Sequence, residues 1–339
     1  MKYFRKLLFV IIIAGLFGAC SRQAVQPVSF AFYNVENLFD TIDDPSISDE
    51  RYLPDSKIPW NTERYLHKLD NLTRVMSSID SSGFPTLFGL CEVENIEVLL
   101  DLINHSDLNA ANYHILHKNS PDERGIDVAL LYQTEYYTPL TTEYIQLTFP
   151  LNPENKTRDI LYSKGLVAKR DTLHIFINHW TSRWGGQKKT EAARRFTGTL
   201  LKKITDSILG AQPHANIIIA GDLNDNPDNL SIAEDLGAIQ PTDSPKQNKL
   251  YNLSSKQYLE GKGTLYYKSW DMFDQVIVSG NMLMKKGIKV DSFDQTIIKY
   301  DWMLYQPKEG SKRPSRTAAG AYYGGFSDHL PVFIQMSVY

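Results

Sequence analysis

The sequence predicts an α/β domain with a mixed system of β-strands and helices on the outside. Three observations point there. Nearly continuous apolar runs of strand length, at 28–35, 86–93 and 216–220, have the pattern of strands buried on both faces. Two stretches, 61–79 and 191–209, repeat apolar residues at the three- and four-residue steps of an amphipathic helix. No internal repeat, heptad pattern, low-complexity tract or linker divides the 339 residues, a length that suits one large α/β domain.

The chain from residue 20 to 27 is a short tether, and the first strand is 28–35. Residues 40–60 are acidic and contain Pro45, Pro54 and Pro59, which makes them a loop. Asn61 is placed to cap a helix whose inward stripe is Tyr65, Leu69, Leu72, Val75 and Ile79. Pro85 introduces the second strand, 86–93, and a short helix covers 96–104. Strand-like runs follow at 113–117, 127–132, 143–149, 160–168 and 172–180. The long helix at 191–209 precedes a buried strand, 216–220, that runs straight into Gly221-Asp222. The last strands are 273–279 and 330–338.

The first twenty residues do not belong to that domain. Lys2, Arg5 and Lys6 precede an apolar stretch from Leu7 to Phe17, then Gly18-Ala19-Cys20. Basic, then apolar, then small residues make a secretory signal, and the apolar run is short for a membrane span. The segment resembles a bacterial lipoprotein signal over 1–19, with Phe17 where Leu is usual and Cys20 as the lipidated residue. That places the protein in the bacterial cell envelope, lipid-anchored to a membrane and facing the periplasm. Cys91 is then the one other thiol, so no internal disulfide is available, and its apolar strand makes it a packing residue. Beyond the leader, 33 basic side chains face 39 acidic ones, a formal charge of −6. That balance is not the one expected of a tight nucleic-acid binder, so a polyanionic substrate requires a local basic patch.

Five short blocks put polar residues at the ends of apolar runs. They are Phe32-Tyr33-Asn34-Val35-Glu36-Asn37, Leu90-Cys91-Glu92-Val93-Glu94-Asn95, Asn178-His179-Trp180, Ala220-Gly221-Asp222-Leu223-Asn224 and Ser327-Asp328-His329. Asp274 stands just ahead of the apolar run 276–278. Residues two apart on a strand share a face, so Asn34 and Glu36, or Asp222 and Asn224, point the same way. Taken singly, each has an ordinary role in closing a turn. Together they describe a site for Mg²⁺-assisted attack on a phosphate ester. There is no Walker A loop, zinc-protease helix, dinucleotide fingerprint or complete nucleophile elbow.

This set of blocks resembles the endonuclease/exonuclease/phosphatase superfamily, which includes deoxyribonuclease I, AP endonucleases, sphingomyelinases and inositol polyphosphate 5-phosphatases. Gly221-Asp222-Leu223-Asn224, Ser327-Asp328-His329 and Asp274-Gln275-Val276-Ile277-Val278-Ser279 carry most of the likeness, which spans 28–339. The resemblance implies a four-layer α/β sandwich, two packed mixed β-sheets flanked by helices, with the site at one end. It implies Glu92 as principal metal ligand, with Asn34, Asp328 and Glu36 alongside, and Mg²⁺ (or Mn²⁺) as the ion. It gives Asp222 the attacking water, Asn224 a phosphate oxygen, and His179 and His329 the developing charge, with Asp274 orienting His329.

Arg124, Asn178 and Arg313 are the candidate phosphate contacts. Lys308, Lys312, Arg313 and Arg316 lie among Trp302, Tyr305, Tyr322 and Tyr323, a basic and aromatic loop suited to a nucleic-acid strand. Arg183, Lys188 and Lys189 extend that patch. The reading is a secreted, lipid-anchored phosphodiesterase, foremost an endonuclease, with the membrane as partner through its anchor and no protein partner implied. The alternatives are a phospholipid, sphingomyelin or inositol-phosphate esterase and a catalytically dead binding lipoprotein.

Overall fold

The computed structural model describes residues 25–150, 152–284 and 287–339. The signal at 1–19, lipidation at Cys20 and the tether as far as residue 24 lie outside the described residues. In chain order the main elements are β1 (Gln26–Leu38), α1 (Thr62–Ser77), β2 (Leu87–Val93), α2 (Ile96–Asn104), β3 (Tyr113–His117) and β4 (Asp127–Gln133). Then come β5 (Tyr137–Ile145), β6 (Ile160–Val167), β7 (Asp171–His179), α3 (Gln187–Ala211) and β8 (Asn216–Asp222). Shorter pieces follow: β9 (Ala238–Ile239), β10 (Leu250–Asn252), α4 (Ser255–Leu259), β11 (Leu265–Tyr266) and β12 (Trp270–Asp271). The chain ends with β13 (Asp274–Ser279), β14 (Ile288–Val290), β15 (Thr296–Ile297), β16 (Leu304–Tyr305), β17 (Arg313–Pro314) and β18 (Val332–Val338).

Two seven-stranded sheets result. One runs β14-β18-β1-β2-β4-β3 with β15 on β18, and the other β5-β6-β7-β8-β13-β10-β9. Both are mixed: β1 and β2 are parallel, as are β7 and β8, whereas β18 and β13 run antiparallel to their neighbours. The apolar runs divide by alternation. On β1, Phe30 and Phe32 face the second sheet, packing with Ile175, Ile177 and Val276. Ala31, Tyr33 and Val35 face outward to Leu69, Leu72 and Val75 of α1. On the far side, Phe176, Ile217 and Ile219 pack under Leu201 and Leu209 of α3. The layers are therefore helix, sheet, sheet, helix, and each central strand is buried on both faces because each face is covered.

Local signals place most boundaries. Asn61 accepts a hydrogen bond from the Arg64 N–H and starts α1, and Asn95 does the same for α2 through Val98. Two expectations change. The tether is shorter than 20–27, since Gln26 and Pro27 already pair with Val338 and Ser337. The strand expected at 143–149 is β5, Tyr137–Ile145. Pro139 argues against a strand, but β5 is the edge of its sheet, where a missing N–H is tolerated, and the register shifts beside that proline. Leu147 and Phe149 leave the strand and pack near α3.

Candidate active site

The topology gathers the polar blocks. The regular pairing of parallel β1 and β2 runs as far as Asn34 and Cys91, which brings Asn34 and Glu92 to one end, and the parallel pair β7 and β8 ends there with His179 and Asp222. β13 runs the other way and begins with Asp274 directly opposite Asp222. β18 is antiparallel to β1, so Asp328 and His329, just before it, reach the same end. Gly221 permits this closeness: a Cβ there would stand 2.2 Å from the Asn178 carbonyl oxygen.

Asp222 is the hub. Its Oδ2 accepts a hydrogen bond from Asn34 Nδ2 at 3.0 Å, and His179 Nε2 and His329 Nε2 each stand 3.7 Å from it. Its Oδ1 accepts the Asn224 N–H at 3.0 Å. Burial pushes the Asp222 carboxyl up to about 7, with His329 pulling the other way. Asn34 also donates to Glu92 Oε1 at 3.2 Å, and the Asn37 N–H holds Glu92 Oε2 at 3.0 Å. His329 Nδ1 lies 2.7 Å from Asp274 Oδ2. Burial opposes charge on His329, but Asp274 and Asp222 outweigh it and hold the imidazole well above its ordinary range. His179 is pushed the opposite way, by burial first and then by Arg158 and Arg124, so it is neutral at pH 7. One histidine is thus kept charged and the other uncharged, on either side of one carboxyl.

The backbone is strained here. Glu36, Asn37, Glu92 and Asn224 all have positive φ, at 51°, 54°, 63° and 49°. Non-glycine residues in the left-handed region cost energy and cluster at functional sites. The kink at Glu36 redirects its side chain away from the face of Asn34. Arg316 Nε bonds Glu36 Oε1 at 3.0 Å and the Thr317 N–H bonds Glu36 Oε2 at 2.6 Å. Its carboxylate is held by a guanidinium and its side chain is only 3% exposed, so Glu36 clamps the 315–328 segment onto β1 and, unlike Glu92, does not reach solvent. Buried Lys68 of α1 supports the clamp, donating to the Glu36 and Phe326 carbonyl oxygens at 3.1 and 2.9 Å.

Other candidates separate in the same way. Asn178 is fully buried; its amide donates to the Phe176 and Ala220 carbonyls and accepts from Trp180 Nε1, so its polar atoms are used within the fold. Arg313 stacks over Tyr305 on the β16–β17 ribbon, and it is Arg316, three residues on, that meets the cluster. Arg316 reaches Asp328 Oδ2 at 2.9 Å as well as Glu36. Arg124 touches Asn37 Oδ1 at 3.4 Å, beside Glu92. Asn224 Nδ2 donates to the Trp180 carbonyl at 3.1 Å. Half of the aromatic loop is consumed by the fold: Arg74 covers Trp302 and Arg64 covers Tyr322, both from α1, whereas Tyr305 and Tyr323 are exposed.

A hard divalent ion asks for oxygen donors, and Mg²⁺ keeps several waters, so one or two carboxylates suffice. Glu92 and Asp328 are the carboxylates of the cluster whose side chains reach solvent, at 14% and 26% exposure, and the Asn34 amide adjoins Glu92. That donor chemistry fits such an ion with Glu92 and Asp328 as ligands and without Glu36. Among the described residues no group of three or more His, Cys, Asp or Glu side chains is set to hold a metal.

The chain matches the endonuclease/exonuclease/phosphatase family over residues 29–338, and it belongs to that family. It is therefore a phosphoester-hydrolysing enzyme of the nuclease and phosphatase class. No curated protein sequence matches it. Solved structures share the fold at low identity. An endonuclease/exonuclease/phosphatase family protein from Bacteroides thetaiotaomicron is 14% identical with a TM-score of 0.55, covering 93% of this chain and 99% of its own. A mannosyl-6-phosphatase from Bacteroides thetaiotaomicron is 14% identical at TM-score 0.55, covering 91% and 99%. TDP2 from D. rerio, solved with a single-strand DNA product, is 15% identical at TM-score 0.55, covering 91% and 98%.

Proposed function

We propose that this enzyme is a divalent-cation-dependent phosphodiesterase that cleaves nucleic acid, with Mg²⁺ as its ion and Mn²⁺ as a substitute. The observation that carries the chemistry is the Asp222 carboxyl set between two histidines, with His179 Nε2 and His329 Nε2 each 3.7 Å from its Oδ2. A carboxyl raised to about 7 takes a proton from water near neutral pH far more readily than an ordinary aspartate. Asn34 fixes the Oδ2 that does so. The His329 imidazolium, held by Asp274, faces the charge that grows on the phosphoryl oxygens or on the leaving oxygen. Neutral His179 directs Nε2 at Asp222 and Glu92 at 3.7 Å and supplies a second donor in the tautomer that carries its proton there. The ion, held by Glu92 and Asp328, would neutralise charge on the phosphate.

Nucleic acid is favoured by the cations around the site. Arg124 stands beside Asn37, Arg316 exposes 42% of its side chain next to Asp328, and exposed Lys188 and Lys189 lie beyond His179. TDP2, a structural neighbour, was solved with single-strand DNA. The competing substrate is a lipid or inositol phosphate, favoured by the formal −6 charge and by an anchor at Cys20, which we also propose. Supercoiled plasmid and single-stranded oligonucleotides incubated with the mature protein should be cut in Mg²⁺ and spared in EDTA. Head-group or phosphate release with intact nucleic acid would transfer the assignment to the competing esters.

A further inference from the structure

The segment after His179 ends in a tight turn. The Gly186 N–H bonds the Arg183 carbonyl at 2.9 Å, and Gly185 has φ +83°, as the third position of a type II turn requires. Trp184 occupies the second position, at the tip, and is 90% exposed. No other tryptophan is among the exposed large hydrophobic side chains, and Trp60 and Trp180 are buried.

This turn is not a loose one. Arg183 Nε donates to the Asn224 carbonyl at 2.8 Å, and its guanidinium bonds Asp225 Oδ1 and Asn229 Oδ1 at 2.9 and 2.6 Å. The same group lies over the Phe273 ring at 4.7 Å and 3.8 Å from Asp271. Asp225 is itself fixed by fully buried Arg194 at 2.8 Å and by Ser231 at 2.7 Å. A bare indole is therefore carried one residue from an arginine bonded to the backbone of Asn224, two residues from Asp222. Exposed Lys188 and Lys189 follow it, so an anionic chain meets a flat ring and two cations together.

We propose that Trp184 is a substrate-stacking residue, receiving a base of a single-stranded nucleic acid beside the phosphate under attack. The inference rests on the nuclease reading. Bases stack on an exposed indole whatever their sequence, so Trp184 adds affinity without base selectivity. It acts in binding, not in the chemical step, so its loss registers in KM and leaves kcat nearly unchanged.

The test is steady-state cleavage of a single-stranded oligothymidylate by the mature protein in Mg²⁺. Trp184→Ala should raise KM about tenfold with kcat nearly unchanged, and Trp184→Phe should restore most of the affinity. In EDTA the same oligonucleotide should quench the fluorescence of the wild type and not that of Trp184→Phe. A wild type that cuts the strand while Trp184→Ala keeps its KM overturns this inference alone. A wild type that neither cuts nor is quenched by it overturns the nuclease reading and the inference with it.

Discussion

Asp222 is buried where its charge is poorly solvated, and its carboxyl is raised from 3.8 to about 7. Replacing it with Asn should lower kcat by about 100-fold or more while leaving the fold intact. The same substitution has a signature in stability. A carboxyl with a raised value in the folded state favours folding while protonated, and that contribution is lost as pH rises from about 4 to about 7. Asparagine does not titrate, so in chelator the Tm of Asp222→Asn should gain on the wild type across that window and run parallel to it outside. Thermal unfolding between pH 4 and 8 reads it, and a constant gap would refute the assignment. Arg316 makes a separate prediction. Its removal strands the buried Glu36 carboxyl, itself pushed up to about 7 by burial and by Asp328. Because Arg316 is 42% exposed, solvent moderates the loss, and Arg316→Ala should cost about 1–2 kcal/mol in urea unfolding.

At the level of elements, the site depends on how closely β7 and β8 approach. The parallel pairing places His179 opposite Asp222 and Asn178 opposite Gly221. Gly221→Ala would set a methyl 2.2 Å from the Asn178 oxygen and 2.7 Å from its Cβ, both parts of a fully buried residue with no room to yield. The strands would part beside the hub, at a cost of about 2–3 kcal/mol and about tenfold or more in kcat/KM. Denaturant unfolding and initial rates check both. Elements of this kind are largely legible: the buried runs and the cap at Asn61 are local signals. β5 begins ahead of the run at 143–149 because an edge strand tolerates Pro139, a position that local sequence does not reveal. Strand alternation puts Glu36 on the face of Asn34, but alternation assumes regular dihedrals, and a φ of 51° breaks the pattern.

Across the whole molecule, the start of β1 and the active site occupy opposite ends of one strand. Gln26 opens it and Asn34 lies eight residues on, roughly 25 Å at the usual strand rise. A chain anchored through Cys20 would attach at the end remote from the Asp222 cluster. Labelled palmitate should enter the wild type and not Cys20→Ala, and the variant should leave the membrane fraction while its specific activity on soluble substrate holds. Incorporation into both, or into neither, would remove the anchor.

What the sequence determined by itself was the α/β class, most of the strands and helices, and the residue types of the site. Each is written in local periodicity or in a short block such as Gly221-Asp222-Leu223-Asn224. What only the tertiary structure decided was which of those residues meet and what each one faces. Asn178 and Asn34 are both asparagines at strand ends, yet one closes the gap between two strands and the other touches Asp222. Arg313 and Arg316 are three residues apart, yet one stacks on a surface tyrosine and the other bridges Glu36 and Asp328. The physical reason is that a side chain's partners come from strands paired over hundreds of residues, and its burial from layers that local sequence does not specify.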